Sequence, residues 1–373
     1  MVITSSFPTS LSHVYERIEK IDPIRYGQTR NYLDGAVTYL SPYISRGVIS
    51  TKKVMQHILA KGYPLAKAEK LLQELAWRDY WQQVWMAKGD AINTDLKNPQ
   101  PDVLHQGMIK AIAEAYTGIK AIDEGILELY ETGYMHNHMR MYVASVTTNV
   151  ARCHWLWPAR WMYYHLLDGD WASNALSWQW VAGANSHKKY YANQENINRY
   201  CRTLQSNSFL DVPYERFDTM EVPDVLKTAY MPNFTTALPK QEPIRLNPNL
   251  PLCIYNSYNL DPEWRQQQAC NRVLLLEPSH FEKYPVSPKV LQFILELSRN
   301  ISGIQVFVGT FNELIKACPS PEIYYKEHPL NTHYHGYQDA REWMFDVHGY
   351  FPSFFSYWKK CEKQLKADRK SVV

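Results

Sequence analysis

The sequence predicts a protein of mixed class, an all-helical domain followed by a small α/β parallel-sheet domain, and three observations carry that prediction. Apolar residues recur at spacings of three and four through the first 208 positions, seven prolines crowd into 209–251, and beyond them apolar and β-branched runs alternate with amphipathic segments. A length of 373 residues suits about two domains. With 45% hydrophobic and 21% charged residues the chain can bury sizeable cores.

In chain order, helices are expected at 11–20, 50–61, 64–87, 106–116, 120–131, 134–150, 158–166 and 171–182, with no strand among them. Pro213, Pro223, Pro232, Pro239, Pro243, Pro248 and Pro251 then forbid a continuous helix or strand. LCIYNSY (252–258), RVLLLEP (272–278), IQVFVGT (304–310) and EIYYKEH (322–328) read as strands, with helices at 286–300 and 311–317. That alternation implies a small, mostly parallel sheet. The expected organisation is a helical domain over 1–208, a linker over 209–250 and an α/β domain over 251–373.

Composition excludes several classes. The N-terminus has no basic start followed by an apolar stretch, and no eighteen apolar residues run together, so a cytoplasmic chain without a membrane span is expected. Forty Lys and Arg against 37 Asp and Glu give +3, too balanced for a general polyanion coat. Any nucleic-acid surface must be a local patch. Six cysteines lie far apart without a CxxC pair, which argues against zinc, iron–sulfur or a disulfide framework and for reduced, mostly buried thiols. Neither GxGxxG nor GxxxxGK[ST] occurs.

Nine of twelve tryptophans fall between Trp77 and Trp180, and three clusters stand out among them. In QELAWRDYWQQVW, Glu74, Trp77, Arg78, Trp81 and Trp85 share one side of a helix, which by spacing alone reads first as an intrahelical ion pair over packed indoles and second as a binding face. In GYMHNHMRM (133–141), Asn137, Arg140 and Met141 share a face, whereas His136 and His138 diverge and lack the spacing of a zinc pair. In LLDGDWASNALSWQW (166–180), Asp168 and Asp170 flank Gly169, and Asn174 and Trp178 lie on the helix that follows. By themselves, a helix cap would account for Asp168, and a glycosidase carboxylate pair for the two aspartates together.

Taken in order, these segments over roughly 25–182 resemble the FAD-binding domain of the DNA photolyase and cryptochrome family. Tyr26 and Arg30 in YGQTR come first, then VTYLSPYISRGVIS (37–50), similar to that family's T-S-x-L-S-P-Y-x-x-x-G-x-x-S loop, then the three clusters. The resemblance implies an FAD held by Tyr26, Thr38, Leu40, Ser41, Arg78, Asn137, Arg140, Asp168, Asp170 and Asn174. In it Thr38 and Ser41 serve the diphosphate, Arg140 pairs with Asp168 beside the isoalloxazine, Asp170 accepts from its polar edge and Asn174 faces N5. It further implies blue-light-driven repair of cyclobutane pyrimidine dimers by an electron from reduced flavin, with the lesion flipped from the duplex. Trp77 and Trp180 would wall the lesion, Glu74 and Asn137 would hold its polar edge, and Met141 would pack beside them. Asn137 and Met141 stand where relatives that repair (6-4) lesions carry histidines. Trp178 and Trp155 match an electron-transfer chain whose third tryptophan, expected near Asp102, is absent, with Trp157 or a nearby tyrosine as substitutes. Val37-Thr38 replaces Thr-Ser, and His138 stands where arginine is frequent.

The α/β part, in VSPKVLQFILELSRN followed by GIQVFVGTFNEL, resembles the family's antenna domain, placed here C-terminally, and its second chromophore, if one is carried, is unidentified. HKKYYANQENINRYC (187–201) resembles the stretch after the flavin site in an iron–sulfur branch, but one cysteine cannot hold a cluster. The partners implied are UV-damaged DNA and no membrane, with a monomeric chain. The rival function is a cryptochrome-like FAD photoreceptor without repair, kept open by 22 Lys and Arg against 18 Asp and Glu over residues 1–202. A flavin-free helical scaffold is the third reading.

Overall fold

The computed structural model describes residues 7–370. The chain packs into two compact units that alternate along the sequence. A helical unit takes Asp22–Val37 and Lys88–Phe234, and a sheet unit takes the described residues up to Ile21, Thr38–Ala87 and those from Thr235 on. The divisions expected at 208 and 250 are therefore not where packing divides the chain.

The helical unit contains Lys120–Thr132, Asn137–Ser145, Leu156–His165 and Trp171–Ala182 close to their expected places, each packed on a neighbour. Their stripes are apolar: Ile122 with Ile126, Met139 with Val143, and Trp171 with Ala175 are all fully buried. Buried indole N–H groups need acceptors, and here Trp155 donates to Asp95 (2.7 Å), Trp161 to the Tyr130 hydroxyl (2.9 Å) and Trp171 to Asn93 (2.8 Å).

Three expectations fail in this unit. The helix expected over 106–116 is only Lys110–Ala113, because Gly107 takes φ +101° and the chain enters as a strand, β1 (Met108–Ile109). β1 pairs antiparallel with β2 (Ala229–Tyr230) of the expected linker, so strands do occur before 208. The helix expected over 134–150 begins at Asn137, where His136 Nδ1 accepts the His138 N–H as an N-cap (3.2 Å). It widens over Val146–Val150, with the Ala151 N–H reaching back five residues to the Val146 carbonyl (2.8 Å). Helices Pro23–Thr29 and Gln194–Cys201 are additional, each too short to establish a clear apolar period in the sequence.

The sheet unit holds five parallel strands, β3 (Leu252–Tyr255), β4 (Asn271–Leu276), β5 (Ile304–Val308), β6 (Ile323–Lys326) and β7 (Tyr337–Asp339), in the order β5-β4-β3-β6-β7. β3, the central strand, is buried along its whole length, as parallel strands covered on both faces are. Helices Pro288–Ser298 and Phe311–Ala317 connect β4 to β5 and β5 to β6. The second is started by a capping box of Thr310 and Glu313. β7, three residues reading YQD at the sheet edge, shows no apolar alternation and carries no sequence signal.

Helix Leu65–Lys88 explains why 38–87 belongs with the sheet. Its Asp79, Gln82 and Gln83 are buried, and buried polar groups require partners. These come from the far end of the chain: the Met344 N–H donates to Asp79 (2.8 Å, 265 positions away), Arg341 donates to Gln82 (2.8 Å), and Gln83 donates to the Val347 carbonyl (2.6 Å). Thr51 adds a hydroxyl donor to Asp79 (3.0 Å), whose carboxyl burial pushes to a raised pKa.

Candidate functional site

In the helical unit two turns are tied together, and the tie places the central ion pair. Gly133, at φ +74°, ends Lys120–Thr132, and its carbonyl accepts the Leu167 N–H (2.8 Å). A side chain at 133 would meet Leu167 Cγ at 2.6 Å, so only glycine permits this approach. The Asp-Gly-Asp turn is thereby held beside Asn137–Ser145. Arg140 Nη2 reaches both carboxylate oxygens of Asp168, at 3.0 and 2.8 Å, and its Nε donates to the Met135 carbonyl (2.8 Å). The Tyr134 ring lies 5.6 Å from the guanidinium carbon. The Asp168 side chain is 2% exposed while that of Arg140 is 22% exposed, so a fully buried anion holds a cation that still faces outward.

Most of the rest of the predicted set in this unit lies on Asn137–Ser145 and Trp171–Ala182 or directly before the latter, with Trp155 and Tyr26 on other segments. Asp170, and not Asp168 for which a cap was expected, caps Trp171–Ala182 by accepting the Ser173 N–H (3.1 Å), since it is the residue directly before the helix. Asn174, buried, gives its amide to the Ala159 carbonyl (2.7 Å), which turns its own carbonyl oxygen away from that bond. Trp178 and Trp155 are both fully buried. Asn137 is exposed at the start of its helix, Met141 half-buried one turn on, and Trp180, 38% exposed, lies with its ring 6.0 Å from Tyr190. Tyr26 is half-buried on Pro23–Thr29. His138, half-buried, bonds the Asn31 carbonyl through Nδ1 (2.8 Å). Burial drives the His136 pKa down to about 4, helped by His138 and Arg140 nearby, so this ring is neutral and its Nδ1 can serve as the cap. Asp102, near the place expected for a third tryptophan, instead pairs with Lys189 (2.7 Å).

Asp95 and Tyr134 carry contacts to predicted residues without standing out in the sequence. Asp95 sits in NTDLKNP, which has no periodicity to distinguish it, and its link to Trp155 spans 60 positions.

The remaining predicted residues, Thr38, Leu40, Ser41, Glu74, Trp77 and Arg78, belong to the sheet unit. Leu40 is buried and its N–H approaches the Thr38 hydroxyl at 3.4 Å, while Ser41 opens the short helix Ser41–Ser45. Arg78 donates to the Ser45 hydroxyl (2.9 Å). Glu74 is half-buried. Trp77 is stacked face to face on Phe354 of helix Phe354–Lys370, centroids 3.8 Å apart and planes at 10°, and its ring is 5.0 Å from Trp81.

The sheet unit has a cavity of its own, about 210 Å³, at the carboxyl ends of the strands where the strand order reverses between β3 and β6. That is where ligands enter open parallel sheets. Asn256 and Tyr258 follow β3 into it, Glu277 and His280 follow β4, and His333 and Tyr334 follow β6. Glu277, buried, accepts from His333 (3.0 Å), the Tyr334 hydroxyl (3.1 Å) and the Phe311 N–H (2.9 Å). Burial lowers His280 to about 4, with Arg46 and Lys283 acting in the same direction. No sequence motif marks these residues, and only the strand order gathers them.

Among the described residues no group of three or more His, Cys, Asp or Glu could hold a metal ion, and no helix is long and apolar enough to cross a membrane.

A family model described as the FAD binding domain of DNA photolyase matches residues 71–210. A deoxyribodipyrimidine photo-lyase of Alkalihalophilus pseudofirmus is 31% identical over 150 residues, 39% of this chain and 31% of the relative. One of Streptomyces griseus is 32% identical over 169 residues, 43% of this chain and 36% of the relative. A cryptochrome DASH of Danio rerio is 32% identical over 178 residues, 42% of this chain and 32% of the relative. The chain thus spans about a third of the length of these curated relatives. A fold of helices and a parallel sheet, an ordered Asp-Gly-Asp turn holding Arg140, and a matching flavin-domain sequence agree with one another, and over residues 71–210 this chain is similar to the FAD-binding domain of the DNA photolyase and cryptochrome family.

Proposed function

We propose that the chain binds FAD against Arg140, Asp168, Asp170 and Asn174 and uses blue light to split cyclobutane pyrimidine dimers in DNA. The observation that carries this reading is the Arg140–Asp168 pair, with its anion buried and its cation turned outward. A charge pair is retained in a core at high desolvation cost, and a polar heterocycle beside the guanidinium would use its remaining donors. The donor and acceptor set fits a flavin ring: guanidinium N–H groups for its carbonyl oxygens, the Asp170 carboxylate for a ring N–H, and the Asn174 carbonyl as an adaptable acceptor. When bound, FAD supplies a light-absorbing one-electron donor and acceptor.

The protein's own part is to hold charge and to replace electrons. Asp168 fixes the guanidinium, and the Met135 carbonyl fixes its Nε. Trp178 and Trp155 are buried aromatic donors for photoreduction, and the Trp155 indole N–H rests on the Asp95 carboxylate, a ready proton acceptor when that ring loses an electron. For the lesion, Trp180, Asn137 and Met141 offer an exposed indole face, an amide and a flexible apolar contact. A second chromophore would have the cavity at the sheet's carboxyl edge, whose 210 Å³ is below the roughly 300–1,000 Å³ of ordinary ligand pockets, so only part of such a ring system would enter.

One observation favours the second reading, a flavin photoreceptor without repair: Phe354 covers a face of Trp77, which the repair reading assigns to the lesion wall. The deciding experiment is an absorption spectrum of the purified protein before and after blue light with a reductant, repeated with dimer-containing DNA. Loss of dimers in light supports repair. A light-reducible flavin that leaves dimers intact transfers the assignment to the photoreceptor, and a colourless protein removes both.

A further inference from the structure

β3 and the residue before β4 bring two of the six cysteines into contact. Cys253 lies within β3 and is fully buried, and Cys270, half-buried, immediately precedes β4. Leu252 is paired with Asn271 and Cys253 with Arg272, so the two-residue pleat sets Cys253 and Cys270 on one face of adjacent strands. Both are free thiols, and the Cys253 Sγ–H donates to Cys270 Sγ at 3.2 Å.

Two arginines favour negative charge on Cys270, Arg272 of β4 and Arg265 in the loop between the cysteines. Arg272 ties that loop down by donating to the carbonyls of Arg265 (2.8 Å), Gln266 (3.3 Å) and Gln268 (3.0 Å). Arg265, in the left-handed region at φ +50°, is held by two bonds to Asp339 (2.7 and 2.9 Å) over the face of Tyr324. The donated hydrogen bond from Cys253, with Arg272 and Arg265 adding, holds the Cys270 thiol down at about 7 in spite of partial burial, while the same bond and burial push Cys253 up. Burial pushes Cys153, Cys201 and Cys361 up to about 12, so these stay protonated near neutral pH.

We propose that Cys270 and Cys253 form a peroxide-reactive dithiol, Cys270 being the attacking thiolate and Cys253 the resolving thiol. The Cys270 thiolate attacks one oxygen of hydrogen peroxide. An S–O bond forms, the O–O bond breaks, and hydroxide leaves and takes up the proton that Cys270 had released. Cys253 then attacks the Cys270 sulfur as the S–O bond breaks. The S–S bond forms, and the departing hydroxyl leaves as water with the Cys253 proton. Two thiols lose two electrons, and one peroxide becomes two waters. A small dithiol reductant reverses the change by exchange. The product cross-links β3 to the start of β4 and closes the loop that carries Arg265.

The test uses the full chain in the dark, so it does not depend on the flavin. After brief hydrogen peroxide and removal of the excess, thiols counted in denaturant should fall from six to four, and peptide mapping should find one Cys253–Cys270 disulfide. Cys270→Ser should keep its five remaining thiols, and Cys253→Ser should stop at a Cys270 sulfenic acid trapped by dimedone. Should either variant fold poorly, iodoacetamide labelling of the folded wild type at neutral pH supplies an independent reading, with Cys270 expected to label first. Six surviving thiols, oxidation mapped to other cysteines, or Cys270 labelling no faster than Cys153 and Cys361 would overturn the proposal.

Discussion

Arg140 and Asp168 concentrate the consequences at the scale of single residues. Removing either partner leaves a charge facing a desolvated environment, typically costing about 3–5 kcal/mol. Asp168→Ala and Arg140→Ala are therefore expected to purify largely colourless. Full FAD occupancy in both would remove this pair from the cofactor site. His136 provides a pH-dependent reading of the same region. Its folded pKa of about 4 lies below the ordinary 6.5, so between those values the unfolded chain binds the proton and the folded chain does not. The stability this ring contributes is complete above about pH 6.5 and is lost as the pH falls toward 4, by about 2 kcal/mol at pH 5. His136→Asn keeps a side-chain cap and cannot titrate. Its melting temperature relative to wild type should rise between pH 7 and pH 5, and parallel curves for the two proteins would refute the assignment.

Among elements, the turn at Gly133 joins Lys120–Thr132 to the Asp-Gly-Asp turn, and it does so with a backbone conformation and a clearance that alanine lacks. Gly133→Ala is expected to lower stability by about 1–3 kcal/mol and to weaken flavin retention, since Leu167 is one residue from Asp168. Gly118, also at positive φ (+80°) but with open space for 4 Å around the place a Cβ would take, isolates the backbone cost. Thermal melts in which Gly118→Ala loses as much as Gly133→Ala would show that the Leu167 contact contributes nothing. Sequence periodicity located the helices of this unit well, because one buried stripe per helix is a local property. It overran at 106–116 and 134–150, where Gly107, the His136 cap and the widened turn at Val146–Val150 intervene.

For the whole molecule the open choice is repair against signalling, and Trp180 is the residue on which it can be tested without disturbing the core. Trp180→Ala should remain yellow and bind dimer-containing DNA about tenfold more weakly, equivalent to about 1.4 kcal/mol, within the range of one stacked base. Binding to undamaged DNA, governed by phosphate contacts and salt, should change little. Equal wild-type affinity for damaged and undamaged DNA in a titration, with dimers surviving illumination, would exclude repair.

By itself the sequence determined the mixed fold class, four of the five sheet strands, most of the helices, and the Arg140–Asp168 partnership through its resemblance to a known flavin domain. Those properties are written locally, in apolar period and in short motifs whose residues act together. Tertiary structure alone decided that 38–87 packs with the C-terminal sheet, that 229–230 completes a ribbon with 108–109, that Trp77 stacks on Phe354, and that Cys253 meets Cys270. Each of these joins residues distant in the chain through a buried polar partner, a strand register or a ring face, and the choice among distant partners depends on which surfaces the folded chain brings together.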